Sequence, residues 1–198
     1  KGKTAIDAAS AMRQLKIDFG NVSLLRIHTD ADTAMLSSHF ANEAGSTKVT
    51  TSPPGVHGLN SMVERPMWTL MCGIRAALGH YKLPNEFWCY AARTVCYLYN
   101  RTPHSSLNFT SPYFQWTGQL PTLWHLHVFG CRCWALDYKT KNVLQDRGRE
   151  GVFLGYVENA SFKTYYVFII NTATVVKSFN VRFADGSHVK FDSDVSIC

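Results

Sequence analysis

Asp30 follows a short β-rich run, Val22 to His28, and Glu64 stands near the start of a helical pattern, with 33 residues between them. A carboxylate at a strand terminus and another on an adjoining helix can converge on a divalent cation, an arrangement that serves in-line phosphoryl transfer. The same residues also have a structural use: Asp30 can cap the helix that follows, and Glu64 suits the first turn of its own helix. Spacing alone leaves both readings open. Cys131 and Cys133 fall on one face of a strand, but no second Cys or His pair follows at a zinc-ligand spacing, so core packing is expected. His125 and His127 lack an identifiable third ligand and are likewise expected to pack or face solvent.

The elements that must position these residues follow from periodicity. Ile6, Ala9, Met12 and Leu15 mark a helix over 4–17, ended by Gly20-Asn21, and the run 22–28 reads as the strand that delivers Asp30. A short helix at about 33–44 closes at Gly45, an extended piece follows at 47–51, and Ser52-Pro53-Pro54-Gly55 is a loop. Val63, Met67, Leu70, Met71, Ile74, Ala77 and Leu78 mark one face of a helix expected to begin within a residue or two of Glu64, so that Pro66 falls in its first turn. Leu25 and Ile27 are expected to pack against Leu70 and Ile74. A second helix is predicted over 85–100, with Asn85 as its cap. From Val128 the period changes to strands, at 128–136, 151–156, 164–170 and 174–183, which suggests a β-meander or small barrel. Phe129, Trp134, Val152, Phe153, Leu154, Tyr166 and Phe168 are expected in its core rather than as base-stacking platforms.

The chain has 198 residues, 46% of them hydrophobic and 17% charged, enough to bury a core and against wholesale disorder. No run approaches the roughly 18 apolar residues of a membrane-spanning helix. The first residues lack a secretory signal, and a start without Met is what a fragment or processed product has. Six cysteines are too few for a disulfide scaffold and are expected to be reduced core residues. The net charge of +6 is concentrated in the middle: residues 51–150 hold ten basic and five acidic side chains, against six and five before them and four and four after. Such a middle suits a polyanion such as nucleic acid, although an excess of this size also serves solubility.

Six ordered segments give the chain a resemblance: Asn60-Ser61-Met62-Val63-Glu64-Arg65 with Thr69-Leu70; Leu83 to Trp88; Tyr97 to Pro103; Ser111-Pro112-Tyr113 with Trp116-Thr117-Gly118; His125 to Cys131; and Gly151 to Tyr156. Together they resemble the integrase region of copia-type long-terminal-repeat retrotransposon polyproteins, part of the ribonuclease H-like superfamily of nucleotidyl transferases. The resemblance implies an α/β chain: a truncated ribonuclease H-like integrase core over 1–110, a linker at 111–127, an SH3-like β module at 128–185 and a tail at 186–198. It implies that Asp30 and Glu64 are the second and third members of an Asp-Asp-Glu triad holding Mg2+ or Mn2+, with Arg65, Arg147 and Arg149 toward nucleic acid, the latter two in a loop-like stretch beside Arg132, Lys139 and Lys141.

The departures carry their own implication. The family's first Asp lies several dozen residues before the second, whereas 29 residues precede Asp30 here, and neither Asp7 nor Asp18 fits the missing position. The glycine-rich acidic run after the second Asp is replaced by Ala31-Asp32-Thr33-Ala34, the Gln-rich turn before Asn60 by His57-Gly58-Leu59, and the DNA-facing positions after Arg65 by Pro66, Met67 and Trp68. With one of three carboxylates missing, the chain is expected to be a catalytically incomplete relic of an integrase, or alternatively a non-catalytic module binding nucleic acid or protein. A functionless pseudogene product is a third reading. DNA ends and target DNA are the implied partners, with self-association, no membrane and a nuclear site of action.

Overall fold

The computed structural model describes residues 4–18, 20, 24–29, 32–52, 61–136, 147–158, 160 and 163–189. Contacts divide the chain into two compact units, Lys1–Met67 and Trp68–Cys198. In the first, helix α1 spans Ala5–Asp18 and opens on a reciprocal cap. The Thr4 hydroxyl accepts from the Asp7 amide at 3.2 Å while the Asp7 carboxylate accepts from the Thr4 amide and hydroxyl, which holds that carboxyl below its usual range.

Strands β1 (Arg26–Thr29) and β2 (Lys48–Thr51) pair in parallel, Ile27 opposite Val49, and helix α2 (Ser38–Ala44) joins them as a βαβ unit. Ser37 caps α2 by accepting from the Phe40 amide, and Gly45, at φ +60°, ends it. Lys16 donates to the carbonyl of Ala44, meeting a helix-end acceptor that has no intrahelical partner. Ala8, Met12, Ala34, Phe40 and Ala44 form the core of this unit, with Ile27 and Val49 against it. Neither strand contains a fully buried residue, unlike the strands of a parallel sheet covered on both faces.

Two expectations are corrected in this region. Leu25 is exposed and Ile27 belongs to the α1–α2 core, whereas Ile74 packs with Phe87 and its neighbours in the second unit. Helix α3 runs Ser61–His80, so Pro66 lies in its second turn and the Met62 carbonyl loses its helical donor. The Pro66 position is exposed to solvent, which can serve that carbonyl instead.

In the second unit a 3-10 turn, Asn85–Phe87, leads into α4 (Trp88–Tyr99). Asn85 makes no cap; the turn follows Pro84 and buries Phe87 instead. Helix α5 (Pro112–Thr117) is capped by the Ser111 hydroxyl and ended by Gly118. Five antiparallel strands follow: β3 (Cys131–Leu136), β4 (Gly148–Tyr156), β5 (Tyr165–Ile169), β6 (Thr174–Ser178) and β7 (Val181–His188), in the order β6-β5-β4-β3-β7. The run expected at 174–183 is thus two strands separated by Phe179-Asn180.

That two-residue connection fixes the shape. β6 and β7 lie at opposite edges, about 19 Å apart in a flat sheet of five strands. Three residue steps reach at most about 11 Å, so the sheet must curl into a barrel. One face of β4 and β5 lines the barrel core with Cys131, Cys133, Phe153, Val167 and Ile169; the other packs Val152, Leu154 and Phe168 against Phe87 and Ala91. Burial on both faces explains why Gly151–Tyr156 reads as an unbroken apolar run. The close approach depends on Gly155, at φ +118°: a Cβ there would stand 2.2 Å from the Thr94 hydroxyl on α4.

Candidate functional site

The carboxylate pair comes first. β1 does run toward Asp30, but Asp30 lies outside the described residues. Glu64 occupies the first turn of α3 and is exposed, as is Arg65 beside it. Among the described residues no three His, Cys, Asp or Glu side chains lie close enough to hold a metal ion. His28, two positions before Asp30, is held between the hydroxyls of Thr50 at 3.0 Å and Ser52 at 2.9 Å, a polar tie across the carboxyl ends of the two parallel strands.

The cysteine pair packs in the barrel core as expected, and both histidines are held by aromatic neighbours. His127 stacks on Phe183, centroids 3.5 Å apart, and its Nδ1 meets Asp185 at 2.9 Å. His125 is buried beside Tyr97. Cys131 and Cys133 share the inward face of β3, and burial pushes both thiols up, Cys133 to about 12. Cys72, Cys89 and Cys96 are free but exposed, not core; an apolar neighbourhood in sequence did not translate into burial on α3 and α4.

The basic residues of the barrel sort differently from expectation. Arg149 lies on β4, opposite Ala135, rather than in a loop, and Arg147 immediately precedes the strand; both are exposed. Arg132 is ion-paired with Glu150 at 2.6 Å. Lys139 and Lys141 lie outside the described residues. Phe129, Val152, Phe153, Leu154 and Phe168 are core, and Tyr166 packs at its edge.

Trp134 is the exception. It alternates outward on β3 between the buried Cys133 and Ala135, only half-buried, with the Arg132 guanidinium 5.3 Å from its ring and the exposed Arg182 directly opposite on β7. The strict alternation of Cys131, Cys133 and Ala135 inward carried this signal in the sequence: residues 132 and 134 had to face out. A tryptophan flanked by cations on a sheet surface can stack an unpaired base while arginines meet phosphate.

Residues 131–197 match the family of the retroviral polymerase SH3-like domain. A Pol polyprotein from the tobacco transposon TNT 1-94 is 33% identical over 136 residues, 67% of this chain and 10% of that polyprotein. The chain belongs to the integrase region of copia-type retrotransposon polyproteins. A second relative, the Pol polyprotein from transposon RE1 of Arabidopsis thaliana, is 34% identical over 135 residues, 67% of the chain and 9% of the polyprotein. The integrase-region chain therefore spans about a tenth of the length of these relatives. Among solved structures, a chain of the simian T-cell lymphotropic virus intasome in complex with the PP2A regulatory subunit B56 gamma aligns with 91% of this chain and 64% of its own, at a TM-score of 0.50 and 14% identity. That likeness is one of fold: a mixed α/β chain with an SH3-like barrel.

Proposed function

We propose that this integrase-region chain binds DNA through the outward face of its barrel and that these 198 residues, by themselves, perform no strand transfer. Trp134, beside Arg132 and opposite Arg182, is the observation that carries the first half; the exposed Arg147 and Arg149 at the start of β4 add positive charge at the barrel's end, Arg149 in register with the inward Ala135. The excess of basic side chains in residues 51–150 supports it. The second half rests on ligand count. Asp30 and Glu64 match two of the three carboxylates that the resemblance assigns to Mg2+ or Mn2+, and neither Asp7 nor Asp18 fits the position of the first. The βαβ unit of β1, α2 and β2 supports reading residues 1–110 as part of a ribonuclease H-like core. A nuclear site of action and self-association on DNA ends belong to the same proposal. The alternative, a protein-binding module, has no observation that favours it over DNA.

Both halves are testable on the purified chain. Trp134→Ala is expected to weaken DNA binding roughly fivefold or more, the scale of one lost base stack; unchanged affinity removes the barrel face. No Mn2+-dependent joining of a labelled viral-end duplex is expected. Joining that disappears in Asp30→Asn and Glu64→Gln would overturn the second half.

A further inference from the structure

Four of the six segments that carry the resemblance contribute walls to one cavity in the second unit, of about 590 Å³. Tyr97 and Arg101 come from the end of α4, Tyr113 from α5, His125 from the stretch before the barrel, and Tyr156 from the end of β4. Trp124 and Lys163 complete its rim. The size suits a small ligand rather than a single water or ion.

Its walls hold more unspent polar capacity than a packing seam needs. The Arg101 guanidinium lies 3.4 Å over the Tyr97 ring and 4.9 Å from that of Tyr113, and its one hydrogen bond goes to the Tyr97 carbonyl. The Lys163 ammonium sits over the Trp124 ring. Neither cation is paired with a carboxylate among the described residues; the exposed Glu158 makes no ion pair with either. His125 is 9% exposed, its Nε2 lies 2.7 Å from the Tyr97 hydroxyl, and its Nδ1 is buried with no partner. Burial, with Arg101 and Lys163 nearby, pushes the ring's pKa down, so it is neutral at pH 7. In the tautomer in which the Tyr97 hydroxyl donates to Nε2, the ring's own proton sits on Nδ1 and offers one more donor. A buried donor without an acceptor is costly, and an anion's oxygen is what would satisfy it. Trp124 itself is 75% exposed and presents a flat apolar surface beside these cations.

The geometry points to a nucleotide-binding site: a phosphate held by Arg101, Lys163 and His125, and a base stacked on Trp124. Phosphate recognition by an arginine fork together with a point-charge lysine, and sequence-tolerant stacking on an indole, are the chemistry this wall set offers. The site is separate from the outward face of the barrel, and it stands or fails independently of DNA binding there. The nucleotide has two sources, a free mononucleotide or the 5′-phosphorylated end of a single strand.

Ligand-observed NMR titration of the whole chain, in a Trp134→Ala background that removes the stacking surface of the barrel face, separates these cases. The probes are deoxyadenosine 5′-monophosphate, deoxyadenosine, inorganic phosphate and a 5′-phosphorylated single-stranded oligonucleotide. The mononucleotide is expected to bind saturably and more tightly than either deoxyadenosine or phosphate. Trp124→Ala and Lys163→Gln, both at exposed positions that leave the core intact, are each expected to weaken it roughly fivefold or more. An oligonucleotide that displaces the mononucleotide identifies a strand end as the source; one that does not identifies the free nucleotide. Absence of saturable mononucleotide binding, or binding unchanged by both substitutions, overturns the assignment.

Discussion

Side chains of one type take different roles here according to the face they occupy. The thiols of Cys131 and Cys133 are sealed inside the barrel, while Cys72, Cys89 and Cys96 stand on exposed helix surfaces. A thiol-labelling time course should therefore show Cys72, Cys89 and Cys96 modified in the native protein, and Cys131 and Cys133 only on unfolding. Rapid native labelling of either barrel thiol contradicts the assigned core. Gly155 is a second residue with a sharp consequence. Its left-handed φ and the 2.2 Å approach of a Cβ to Thr94 mean that Gly155→Ala must displace α4 or strain the strand. Equilibrium urea unfolding should show a loss of about 2–4 kcal/mol; a neutral result would mean that α4 does not pack where the structure has it. The sequence carried the inward cysteines through their period-two spacing. It did not carry the His125 cavity, whose walls are drawn from residues 97 to 165 and meet only when α4 and α5 lie against the barrel.

At the scale of elements, legibility follows from how many faces an element buries. α1 and α4 fall within a few residues of their expected bounds, whereas α2 begins at Ser38, five residues after its expected start. β4 reads as a continuous apolar run because α4 covers the face that the barrel core does not. The break between β6 and β7 was hidden because Phe179 is apolar, leaving Asn180 as the only turn signal, although Phe179 is 55% exposed. The expected packing of Leu25 and Ile27 against Leu70 and Ile74 failed for a related reason: periodicity gives a face, not its partner. This difference predicts an order of stabilities. Phe87→Ala removes a side chain 1% exposed between α4 and β5 and should cost about 3–5 kcal/mol, measured by chemical unfolding. Ile27→Ala removes a half-buried one and should cost about 1–2 kcal/mol. The reverse order would mean that the β1–β2 sheet is a more deeply buried element than the structure shows.

For the whole molecule, contacts divide the chain into Lys1–Met67 and Trp68–Cys198, and the proposed roles fall on different units. The carboxylates belong to the first unit and the barrel to the second. The chain spans about a tenth of the length of its relatives, and its proposed DNA-binding surface lies wholly within the second unit. DNA binding is accordingly the central claim. The most direct test is the affinity of the intact chain for duplex DNA as a function of salt, compared with Arg147→Gln/Arg149→Gln. Wild-type affinity should fall linearly on a log–log plot, and removing two phosphate contacts should reduce the slope by about 1.8. A flat wild-type response, or a slope unchanged by the double substitution, would contradict the account.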